Sequence, residues 1–62
     1  MRLSTVIKHL MRDMTQAELA KKAHVTEAYI SQLLKGKRKN PSLRILKRLA
    51  RALGVPVAEL LE

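Results

Sequence analysis

Lysine and arginine are concentrated in one stretch of this 62-residue chain, where they could bind the phosphates of a polyanion. The sequence has 13 basic and 5 acidic residues, which gives a formal net charge of +8. Eight of the bases and none of the acids lie between residues 35 and 51, whereas the other 45 residues hold five of each. Many charge runs are only solvated surface, but so local an excess favours a surface that binds nucleic acid or an anionic membrane.

The residue types needed for catalysis and metal binding are scarce. The chain has no cysteine, which excludes disulfides and thiolate metal sites. Its two histidines, His9 and His24, are fifteen positions apart, Asp13 is the one aspartate, and no glycine-rich phosphate loop occurs. We therefore expect no enzyme activity, no metal and no cofactor, and a core this small is expected to have no site for a small-molecule ligand.

The length of the chain predicts a single domain over residues 1–62. No apolar run approaches the roughly 18 residues of a membrane span. The N-terminus lacks the apolar block of about 7–15 residues found in signal peptides, so a cytoplasmic protein is predicted.

Helical spacing recurs along the chain and predicts five short helices in an all-α fold. The first is expected from about Ser4, as N-cap, to Met11 or Arg12. The second begins with a capping box of Thr15 and Glu18 and ends near Ala23.

The third helix is expected to start after Thr26 as N-cap and to end at Gly36 in the left-handed conformation. Ser42 caps a fourth helix that has one apolar and one basic face and ends at Gly54. A fifth helix is predicted from Pro56 or Val57 to about Leu61.

Helices two and three are joined by only about three residues, which is too short for a relaxed antiparallel hairpin. Such a connection favours a sharp crossing of the two helices, as in the helix-turn-helix arrangement, here over residues of about 15–35. The small side chain of Ala20 lies where the helices are expected to cross.

With this arrangement the sequence resembles the phage repressor and Cro family of helix-turn-helix proteins, which includes the xenobiotic-response-element-type bacterial regulators. The resemblance covers nearly the whole chain. It is carried by Thr15-Gln16-Ala17-Glu18-Leu19-Ala20, Val25-Thr26, Tyr29-Ile30-Ser31-Gln32-Leu33, Gly36-Lys37, Asn40-Pro41-Ser42 and Leu49-Ala50-Arg51-Ala52-Leu53-Gly54-Val55. It implies a compact five-helix, lambda-repressor-like domain that binds duplex DNA and regulates transcription, most simply as a repressor.

By this resemblance, the third helix enters the major groove and its outward residues contact bases. They are Glu27, Ala28, Ser31 and Gln32. Gln32 could pair with adenine, Ala28 could meet a thymine methyl group, and Glu27 could accept from the amino group of cytosine. The alternative for Glu27 is that it interacts favourably with the helix dipole and contacts no base.

A second set of residues is expected to contact the DNA backbone, which sets affinity and register. It comprises Gln16, Tyr29, Lys35, Lys37, Arg38, Lys39, Asn40 and Arg44. Tyr29 could direct its hydroxyl to a phosphate or bond to the protein itself. Lys47, Arg48 and Arg51 are expected to stay solvated and to attract DNA at long range.

Two positions depart from the family pattern. The turn has His24 where glycine is usual, so we expect a left-handed, strained histidine. Leu34 stands where the family often has an acid, and it is expected to be exposed, packing on the following loop or on a partner.

The expected partner is an inverted-repeat operator in double-stranded DNA, bound by a homodimer, because one helix reads only a few base pairs. The dimer contact is assigned to Val55, Val57, Leu60 and Leu61, although Leu60 or Leu61 could instead fill the core. A bacterial, phage or plasmid origin and association with the nucleoid follow from the family. The chain suits both a whole small regulator and a fragment of a longer one.

Two other classes of function remain open. The first is a protein-interaction module of the same fold, an antitoxin part or bridging coactivator that binds DNA only weakly. The second is a membrane-active basic helix, which the capped, amphipathic helices along the whole chain disfavour. RNA is less suited, since its major groove is too narrow for a helix.

Overall fold

Four α-helices are joined by short turns in the computed structural model, which describes residues 3–38 and 41–61. They are α1 (Leu3–Met11), α2 (Gln16–Ala23), α3 (Glu27–Leu34) and α4 (Leu43–Leu53). All regular structure in the described residues is helical, which confirms the predicted all-α class.

The predicted fifth helix is wrong. The segment Val57–Glu59 forms a single 3₁₀ turn, and the N–H of Leu60 donates to the carbonyl of Val57 at 2.9 Å. Three residues between Pro56 and the buried Leu60 are too few for a run of i→i−4 bonds, so the tighter bond pattern forms instead.

Side chains at the helix starts provide the predicted N-caps. The hydroxyl oxygens of Thr15, Thr26 and Ser42 accept from backbone N–H groups three residues later at 3.1, 3.0 and 3.3 Å. The Ser4 cap is wrong, because α1 already includes Leu3 and Ser4 lies inside its first turn.

One apolar cluster holds the helices together. α2 packs against α3 and α4, α1 packs against α3, and the 3₁₀ turn packs against α4. The fully buried large side chains come from all four helices: Ile7, Leu19, Ile30, Leu33 and Leu49. Full burial of such a side chain stabilises the fold by about 1.5–3 kcal/mol, so this shared cluster fixes how the helices sit together.

Two leucines for which the sequence suggested an exposed position are buried. Leu34 is buried with 7% of its surface exposed, so the predicted exposed leucine is wrong and this side chain completes the core. Leu60 is also buried, at 6% exposure, whereas Leu61 is exposed at 47%. Leu60 therefore takes the core role that the sequence left open.

The turn between α2 and α3 has the predicted left-handed histidine. His24 has φ 59° and ψ 44°, and the next amide, Val25 N–H, donates to the carbonyl of Ala20 at 3.0 Å. This bond spans six residues, as in a Schellman ending, which usually has glycine at the left-handed position. Because His24 has a Cβ, the turn is strained.

Replacing His24 by glycine is expected to raise the free energy of unfolding by about 0.5–1 kcal/mol, because relief of strain exceeds the added entropy of the unfolded chain. A domain of this size would then melt roughly 2–8 °C higher in a circular dichroism melt.

Gly54→Ala is the matched control for this substitution. Gly54 has φ 73° and nothing lies within 4 Å of an added Cβ, so alanine there introduces strain without a clash. We expect Gly54→Ala to lower the melting temperature. A His24→Gly variant that melts no higher than the parent would contradict the assignment of strain to His24.

Candidate nucleic-acid interface

Helix α3 has an inward apolar side and an outward polar side. Ile30 and Leu33 are buried, whereas Glu27, Ala28 and Gln32 are exposed and Ser31 is half-buried. The four outward positions are offset by one, four and five residues, so they share one side of a helix that turns every 3.6 residues. The structure thus places the four predicted base-contact residues together on the surface.

The N-terminus of α2 offers backbone amides beside Gln16, whose side chain is exposed. The capping box is complete, because Thr15 N–H donates to Glu18 Oε1 at 2.9 Å while Glu18 N–H donates to Thr15 Oγ1. The hydrogen bond from the backbone N–H of Thr15 lowers the pKa of the Glu18 carboxyl. Of the initial amides that lack intrahelical partners, those of Gln16 and Ala17 are left to receive an anion.

The chain folds back on itself after α3. Gly36 has φ 79°, and Lys37 N–H donates to the carbonyl of Gln32 at 2.9 Å. This Schellman ending returns the next residue toward the last turns of α3. Lys35, Lys37 and Arg38 are exposed there, while the predicted backbone contacts Lys39 and Asn40 lie outside the described residues.

Arg38 connects two of the predicted DNA-contact residues. Its Nε donates to Gln32 Oε1 at 2.9 Å, and its guanidinium carbon lies 4.7 Å from the centre of the Tyr29 ring. The second distance is within the range of a cation–π interaction. The sequence did not predict this arrangement, although Tyr29 and Gln32 are three residues apart on α3 and Gly36 turns the chain toward them.

Helix α4 adds further exposed cations to the surface. Arg44 lies in its first turn, and Lys47, Arg48 and Arg51 follow along its exposed face. They line an open groove between α4 and the end of α2, which the sequence did not predict. Arg44 alone belongs both to this groove and to the predicted backbone contacts.

The predicted dimer residues differ in exposure. Val55 and Val57 are half-buried and Leu61 is exposed, whereas Leu60 is in the core. Of the four predicted dimer residues, only Leu61 is therefore exposed to a partner.

Residues 3–38 and 41–61 contain neither a metal cluster nor a membrane span. No group of three or more histidine, cysteine or acidic side chains there could hold a metal ion. In the same residues, no helix has the length and apolarity needed to cross a membrane.

Comparison with known proteins identifies the motif. The family described as helix-turn-helix matches residues 8–60, which is most of the chain. The chain belongs to the helix-turn-helix family. Its type is that of the Cro and phage-repressor proteins, as the resemblance of the sequence predicted.

A solved structure similar to this helix-turn-helix protein is the restriction-modification controller protein C.AhdI from Aeromonas hydrophila. The two chains share 27% sequence identity with a TM-score of 0.87, over 94% of this chain and 89% of that one. No curated protein matches the sequence. The family and the structural similarity support a regulator that binds double-stranded DNA rather than an enzyme.

Proposed function

We propose that this helix-turn-helix protein is a sequence-specific transcriptional repressor that inserts α3 into the major groove of an operator. The observation that supports this most directly is the outward side of α3, where Glu27, Ala28 and Gln32 are exposed. The basic segment after Gly36 adjoins the same helix, and α2, whose first turn offers amides to an anion, packs against it. A polar helix flanked by cations is suited to the major groove, because the helix can contact base edges while the cations contact the phosphates on either side.

The base contacts follow from the chemistry of the outward side chains. Ala28 meets a thymine methyl group, and Gln32 pairs with the edge of adenine. Glu27 accepts from the amino group of cytosine, a contact that makes a carboxylate tolerable close to phosphates. Ser31, half-buried, contacts the base edge beside Gln32.

Arg38 is proposed to position Gln32 as well as to contact the backbone. Because Gln32 Oε1 accepts from Arg38, the amide nitrogen is left to donate to an acceptor such as N7 of a purine. The carboxamide oxygen has two lone pairs, so it can also accept from N6 of adenine. Stacking on Tyr29 restricts the arginine and therefore the glutamine.

Backbone contacts are assigned to the residues around α3. Gln16 and the amides at the start of α2 hold one phosphate, and exposed cations hold others. The exposed cations are Lys35, Lys37, Arg38 and Arg44, and the predicted loop adds Lys39 and the neutral side chain of Asn40. Tyr29 adds its hydroxyl to the same strand.

The proposed protein acts as a homodimer on an inverted repeat. Two copies square the discrimination of one copy, which reads only a few base pairs. Val55, Val57 and Leu61 supply the contact, while Leu60 supports it from the core. The similar protein from Aeromonas hydrophila is called a controller protein, and regulation of gene expression is the role proposed here.

Selection of bound duplexes from a random DNA pool at about 150 mM salt tests this function. We expect an inverted repeat whose half-site centres lie about 10–11 base pairs apart. A pool with no enrichment would contradict sequence-specific binding and would favour a protein-interaction module of the same fold.

Glu27→Ala tests the contact with cytosine. We expect relaxed preference at one position of each half-site with the rest of the site unchanged, measured by repeating the selection. Lost discrimination corresponds to about 1–3 kcal/mol for that base. An unchanged preference would leave Glu27 only its interaction with the helix dipole.

Lys37→Ala and Arg38→Ala separate backbone contact from positioning. We expect Lys37→Ala to weaken binding to all sequences and to make the log–log salt slope shallower by about one unit per half-site. Arg38→Ala is expected to do the same and also to relax preference at the base that Gln32 reads.

Arg38→Lys is the control, because it keeps the charge and loses the planar donor. This variant is expected to keep the salt slope of the parent and to lose the preference at the base that Gln32 reads. If Arg38→Ala and Lys37→Ala give the same selected sequence as the parent, Arg38 is a backbone contact only.

A further inference from the structure

An open groove with a strongly cationic lining lies between the end of α2 and the exposed face of α4. Its volume is about 470 Å³. Its lining consists of Lys22, His24, Leu43, Arg44, Lys47, Arg48 and Arg51. Five of these seven side chains are lysine or arginine and none is acidic, so no carboxylate of the lining offsets the charge.

The groove is separate from the side of α3 proposed to meet DNA. No residue of α3 lines it. On α2, Lys22 follows Gln16 by six residues, which places it about 9 Å further along the axis and roughly 240° around it. Apart from Arg44, the cations of the groove therefore have no part in the proposed DNA contacts.

An apolar side chain lies among these cations. Leu43, the first residue of α4, is 52% exposed, and with Leu61 it is one of two exposed large hydrophobic residues in the described chain. An occupant that matches the lining must combine negative charge with an apolar group.

Duplex DNA matches only half of that requirement. Its phosphates supply the charge, but they lie on a convex surface too wide for the gap between two packed helices, whose axes are about 8–10 Å apart. A single extended segment of protein is narrower than a duplex, and a volume near 470 Å³ is within the range of about 300–1,000 Å³ found for ligand sites.

We propose that this groove binds an acidic segment of another protein, which places a leucine-like side chain on Leu43 between its carboxylates. The carboxylates pair with Lys47, Arg48 and Arg51 on α4 and with Lys22 on α2. The site lets the protein hold a partner while α3 is free to contact DNA.

A fluorescein-labelled peptide with blocked ends, Glu-Asp-Glu-Leu-Glu-Asp-Glu, is the probe, and fluorescence anisotropy measures its Kd. The double variant Lys47→Glu/Arg51→Glu is expected to weaken binding by about tenfold or more, because it sets like charges against the peptide. Both residues are exposed, and a circular dichroism melt checks that each variant stays folded.

The matched control is Lys8→Glu/Arg12→Glu, which changes the net charge equally at exposed positions outside the groove. We expect it to change the Kd by less than about threefold, since distant exposed charges are screened. An equal loss of affinity in the two double variants would overturn the proposal, because it would show attraction by net charge alone.

A second pair of changes isolates the apolar contact. Leu43→Ser is expected to weaken the binding of the leucine-containing peptide by about fivefold. It is expected to leave the binding of a second peptide, in which serine replaces that leucine, unchanged, as in a double-mutant cycle. Equal binding of the two peptides by the parent protein, or no binding of either at millimolar concentration, would overturn the proposal.

A 20-base-pair duplex of random sequence distinguishes a phosphate surface from a peptide site. Lys47→Glu/Arg51→Glu is expected to reduce duplex binding less than peptide binding. A larger loss for the duplex would overturn the proposal and assign the groove to DNA. Because this comparison needs no operator, its outcome does not depend on whether α3 recognises a specific sequence.

Discussion

The backbone conformation of His24 sets the crossing of α2 and α3, and the proposed DNA contacts depend on that crossing. The left-handed residue lets Val25 N–H reach the carbonyl of Ala20, so α2 ends at a defined point and only three residues connect it to α3. The small buried side chains of Ala20 and Ala23 let the neighbouring helices approach α2 closely. The same turn that closes the core therefore directs the polar side of α3 outward.

Local features of the fold could be predicted from the sequence because they depend on residues close together in the chain. Hydroxyl caps at Thr15, Thr26 and Ser42 need only a backbone amide three residues away. Gly36 and Gly54 end helices because they adopt positive φ without strain. The outward positions of α3 follow from the same periodicity that identifies its buried side.

Features that depend on tertiary packing or on the choice of one side-chain rotamer could not be predicted in this way. Leu34 and Leu60 are buried by the packing of several elements, and the sequence around each is equally compatible with exposure. The contact of Arg38 with Gln32 needs the chain to reverse after Gly36 and a side chain to choose one of many rotamers. The groove needs the relative placement of α2 and α4, which no local pattern contains.

Helix-turn-helix proteins need one position in the turn that tolerates positive φ, and here that position also lines the cationic groove. Among residues with a side chain, asparagine, aspartate and histidine are the types enriched in this conformation. Aspartate would place a negative charge in the groove, and asparagine or glycine would place none. Position 24 therefore belongs both to the turn that sets the crossing of α2 and α3 and to the lining of the groove, so a substitution there alters the backbone of the turn and the surface of the groove together.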